Sequence, residues 1–71
     1  MATRKQVFEK AKKLGVEIQE WRDGGDRFFQ ADAPQGKHFI GSTVSSAYLG
    51  DYAVGEKPDW KFMLNEIELE R

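Results

Sequence analysis

The stretch Val16-Glu17-Ile18-Gln19-Glu20-Trp21-Arg22-Asp23-Gly24-Gly25-Asp26-Arg27-Phe28-Phe29-Gln30-Ala31-Asp32-Ala33 decides the fold. Two extended runs flank Asp23-Gly24-Gly25-Asp26, whose glycines tolerate positive φ and whose aspartates can bond local backbone N–H groups. That is the punctuation of a β-hairpin. In the first run Val16 and Ile18 alternate with Glu17 and Gln19, so the aliphatics share one face, and the strand should reach Trp21 or Arg22. In the second run Phe29, Ala31 and Ala33 form the apolar set assigned to the core. Phe28, beside Gln30 and Asp32, is then left on the other face as an exposed aromatic.

Upstream, Thr3 followed three residues later by Gln6 is a capping-box pattern, and Val7, Phe8, Ala11 and Leu14 form a single apolar stripe behind it. A helix over 4–14 follows, stopped by Gly15, with Lys5-Glu9 and Glu9-Lys13 as i,i+4 pairs on its wet face. Downstream, Pro34-Gln35-Gly36 makes a second turn, and Lys37-His38-Phe39-Ile40 reads as a third strand closing an antiparallel meander over 16–40. Beyond Gly41, Ser42 or Thr43 is a candidate cap for a short helical turn over 43–49 through Val44, Ala47, Tyr48 and Leu49. Pro58 and Asp59 suit the first turn of a final helix over 59–69, with Trp60, Met63, Leu64 and Ile67 as its stripe and Phe62 and Leu69 off it. The expected class is α+β, in the order α-β-β-β-α, with both terminal helices packed on one face of the sheet and residues 1–71 forming one small domain.

A chain of 71 residues has a small core, and with no cysteine it has neither disulfides nor thiolate zinc sites to reinforce it. Nine aromatics and a net charge of −1 argue against disorder. No apolar run approaches the length of a membrane span, and the N-terminal segment lacks the apolar stretch of a secretory signal, so a cytoplasmic location and no membrane partner are expected. Charge is divided along the chain. Residues 1–14 set Arg4, Lys5, Lys10, Lys12 and Lys13 against Glu9, a net of +4, while residues 51–71 carry a net of −3. Opposite charge at the two ends suits terminal helices packed side by side, or head to tail between copies.

Catalytic patterns fail on their chemistry. His38 is the single histidine, so a Cys–His pair cannot exist, and a triad drawn from His38, Ser42 and Asp51 lacks a cleft and an oxyanion hole. Asp23 and Asp26 begin no calcium loop, because Arg27 stands where the next acid belongs. Lys37 after Gly36 lacks the order of a phosphate-binding loop, and Glu66, Glu68 and Glu70 spread around a wet helix. No catalytic residue, metal or cofactor is expected.

The element order resembles that of double-stranded RNA-binding domains, but Pro58-Asp59-Trp60-Lys61 and the acids after it lack the basic cluster such a helix needs. A single-stranded nucleic-acid or RNA module would use Arg22, Arg27, Lys37, the basic first helix and stacking on Trp21 and Phe28, against repulsion from Glu20, Asp23, Asp26 and Asp32. The leading expectation is a small non-catalytic accessory or adaptor protein, acting on a protein partner or a second copy of itself. Its candidate interaction surface is Trp21, Arg22, Arg27, Phe28, Lys37, Tyr48 and Tyr52.

Overall fold

The computed structural model describes residues 2–42 and 44–70. Helix α1, Arg4–Leu14, starts at the anticipated capping box: the Gln6 N–H donates to Thr3 Oγ1 at 3.2 Å and the Thr3 N–H to Gln6 Oε1 at 3.0 Å. Gly15, at φ 74°, ends it. The Gly15 N–H donates to the Lys12 carbonyl and the Val16 N–H to the Ala11 carbonyl, a Schellman closure that sets Val16 beside Ala11 in the core.

From there β1 (Glu17–Asp23) and β2 (Asp26–Asp32) form the hairpin, with Asp23 opposite Asp26. Gly24 and Gly25 have φ of 61° and 94°, the positive values that both central positions of a type I′ turn demand. The third strand, β3, is Ser46–Ala53, antiparallel to β2, so the sheet has the order β1-β2-β3. The α+β meander is as expected, but its third member lies elsewhere.

Residues 37–40 are not that strand: Phe39 makes an isolated bridge with Leu69, and the His38 carbonyl accepts from the Glu70 N–H. Residues 44–49 are not helical either; Thr43, the alternative cap, lies outside the described residues. Val44, Ala47 and Tyr48 do have helical spacing, but Gly50 limits any helix there to a single turn, which is unstable alone, whereas a strand can pair along the whole of β2. The final helix, α2, is Trp60–Glu66, shorter than 59–69. Asp59 is its N-cap, accepting from the Phe62 N–H at 3.0 Å, and after Ile67 the chain straightens to pair with the 38–40 segment.

Among the described residues the buried side chains are Val7, Ala11, Val16, Phe29, Ala31, Phe39, Leu49, Met63 and Ile67, and none is polar. Phe29 is central, with Tyr52 and Trp60 edge-on at 5.9 and 5.7 Å. The helix cations do not settle on α1 itself: Arg4 pairs with Glu20 at 2.7 Å, and Lys10 pairs with Glu68 and donates to the Leu64 carbonyl at 2.8 Å. Those are tertiary contacts in place of the Lys5-Glu9 and Glu9-Lys13 pairs. Arg4 ties α1 to β1, and Lys10 alone reaches from α1 to the acidic C-terminal segment, at Glu68 just past α2.

Candidate functional site

Both helices pack against the face that holds Phe29, Ala31 and Leu49, and among the described residues no helix lies on the opposite face of the sheet. Strand register sets out that open face in four rows: Glu17, Asp32 and Ser46; Gln19, Gln30 and Tyr48; Trp21, Phe28 and Asp51; Asp23, Asp26 and Ala53. The rows hold five carboxylates and no lysine, arginine or histidine.

Two contacts confirm the placement. Trp21 and Phe28 stack across the hairpin with centroids 5.6 Å apart and planes 12° from parallel. Asp32 accepts from both Gln19 at 2.5 Å and Gln30 at 3.2 Å, which ties down its carboxylate and leaves the rest of the face to Asp51, Asp26, Asp23 and Glu17. Trp21 is 41% exposed and Tyr48 55% exposed, while Phe28, against the Trp21 ring, is half-buried.

A β-bulge puts Tyr48 there. Phe29 pairs with Gly50 and Gln30 with Tyr48, so Leu49 is an extra residue on β3. Without it the alternation would point Leu49 to solvent and Tyr48 into the core. With it Leu49 is fully buried, and Tyr48 and Asp51 join the open face. Gly50 carries the strain of the bulge at φ 110°, and a Cβ added there would lie 3.1 Å from the Tyr52 hydroxyl. The Tyr48 hydroxyl is pushed above the ordinary phenol range, first by desolvation, then by Asp51, whose carboxylate disfavours the phenolate, with Tyr52 and Asp26 adding to it.

The seven anticipated surface residues therefore divide. Trp21, Phe28 and Tyr48 come together on the open face. Arg22, Arg27 and Tyr52 belong to the helix-side face, because each stands next in sequence to an open-face residue and strand neighbours point oppositely. Arg27 is committed there to the Glu56 carbonyl at 3.3 Å and to Glu20 at 3.9 Å, and Tyr52 packs on Phe29. Lys37 lies in the Pro34–Lys37 turn, off the sheet. The mixed aromatic and basic platform needed for single-stranded nucleic acid is thus not assembled on one face.

Residues that the sequence reading left out are Asp51 and Glu17. Their signal was the two-residue alternation itself, which for Asp51 is visible only once Gly50 is taken as a bulge. Elsewhere, an open depression of about 380 Å³ is lined by Ile40, Glu68, Leu69 and Glu70; it holds no hydroxyl, thiol or amine side chain, and Glu68 is committed to Lys10. Among the described residues no three His, Asp or Glu side chains converge to hold a metal, and no helix is long and apolar enough to cross a membrane. No protein-family model, curated protein or solved structure matches this chain.

Proposed function

We propose that this chain is a small non-catalytic adaptor whose open sheet face docks on another protein, in the cytoplasm, where a chain without cysteine needs no oxidising surroundings. The observation that carries the proposal is the Trp21–Phe28 stack, with Tyr48 beside it, on a face no helix covers. Aromatic side chains fixed in place lose little freedom on binding and supply large contact area, which is why such residues dominate interface energetics. A small core makes this placement notable, since burying these rings would have stabilised the fold.

Charge favours a protein over the alternatives. Five carboxylates on the face would repel a phosphate backbone, and a second copy docked face to face would bring ten carboxylates together without a base between them.

The test is affinity capture from native lysate, with and without nuclease, by the wild-type chain and by Trp21→Ser/Phe28→Ser. An identified protein held by the wild type, insensitive to nuclease and lost from the folded double variant, supports the proposal. Equal capture by both forms, or capture abolished by nuclease, overturns it.

A further inference from the structure

The five carboxylates surround the aromatics in a way that specifies the chemistry of the partner. Across the central row Trp21 covers the β1 side of the Phe28 ring, and Asp51 stands on its β3 side. Along β3, Tyr48 is the next open-face residue beyond Asp51 and interacts with it. Glu17 and Asp32 close one end of the face, and Asp23 and Asp26 the other. An aromatic ring face attracts a cation through its quadrupole, and a carboxylate at the rim of the same ring adds direct attraction. Arginine suits this better than lysine, since a flat guanidinium can lie on a ring while its N–H groups reach a carboxylate.

We propose that the open face recognises a basic, arginine-containing segment of its partner, with a guanidinium seated between Phe28, Tyr48 and Asp51. This rests on the docking role proposed above and names the class of partner. The chain's own cations are poor candidates for the occupant. Arg4, Lys10 and Arg27 already have partners within the fold. Lys5, Lys12 and Lys13 on α1 of a second copy would bring ammonium groups, which lack the flat guanidinium that can lie on a ring while reaching a carboxylate.

Panning a displayed library of random linear peptides on the immobilised protein, in parallel with Trp21→Ser/Phe28→Ser, tests both levels. Peptides that are enriched on the wild type, lost on the double variant and rich in arginine support the inference. For one such peptide, Asp26→Asn/Asp51→Asn should weaken binding by about fivefold, two exposed ion pairs' worth, and added salt should weaken it further. Enriched peptides that depend on the stack but are acidic or neutral overturn the inference and leave the docking role standing. No stack-dependent enrichment at all overturns both. Self-association in sedimentation that disappears in Asp26→Asn/Asp51→Asn also overturns the inference, by putting a second copy on the face.

Discussion

Trp21 and Phe28 stack across the β1–β2 hairpin with their rings 12° from parallel and 5.6 Å apart, on the side of the sheet opposite Phe29 and Ala31. The two faces of one hairpin thus use their aromatics differently. Phe29 is fully buried and holds Tyr52 and Trp60 edge-on, while Phe28, its neighbour in sequence, lies with Trp21 among carboxylates. A cross-strand aromatic pair contributes about 0.2–1 kcal/mol to the sheet. That is too little to account for an exposed Trp21 and a half-buried Phe28 on the uncovered face of a small fold, and a binding role explains them better.

The bulge at Leu49 and Gly50 is what assembles the face, so Gly50→Ala should disturb the fold first. A non-glycine residue at φ 110° beside the Tyr52 hydroxyl should cost about 1–3 kcal/mol. In a chain this short that lowers the melting temperature by several degrees per kcal/mol, measurable by circular dichroism. An unchanged melting temperature would mean that β3 does not carry the bulge described here.

Lys10 joins the two helices. Its ammonium bonds the Leu64 carbonyl, one of those near the end of α2 that lack an intrahelical partner, and pairs with Glu68. Lys10→Met keeps the aliphatic stem and removes the charge, and should cost about 1 kcal/mol, less in high salt. Chemical denaturation at two salt concentrations measures it. A salt-independent loss would assign the effect to packing of the stem instead.

How much of this was legible without coordinates depends on how local the determinants are. The capping box, Gly15 and the Asp23–Asp26 turn are decided within a few residues, and α1 and the hairpin lie where the sequence placed them. The third strand was misplaced because its identity is settled by which segment completes the β2 ladder. Gly50, a strand bulge, reads in isolation as a helix breaker. The same glycine hid the site: with it misassigned, Tyr48 and Asp51 had no face to share with Phe28. Grouping Arg22 with Trp21, and Arg27 with Phe28, overlooked an alternation that adjacent strand residues cannot escape.

Tyr48 offers a spectroscopic check on that grouping. Because desolvation and Asp51 hold its phenol in the neutral form, its ionisation, followed by ultraviolet absorbance with Tyr52→Phe as background, should lie above the ordinary tyrosine range. Asp51→Asn should move it back down. The folded group holds its proton more tightly than the unfolded one, so its contribution to stability is complete below the ordinary phenol range and is lost as pH rises through the raised value. A titration unaffected by Asp51→Asn would separate Tyr48 from Asp51 and break up the face.

The most direct measurement is calorimetric titration of the captured partner protein, once identified, into the wild type and into Trp21→Ser/Phe28→Ser, with thermal melts of both forms alongside. If the stack anchors the interface, Kd rises at least about tenfold in the double variant, while the melt shifts by only a few degrees, since the pair contributes little to the fold. An unchanged Kd in a folded double variant would contradict the assignment of the open face as the binding surface.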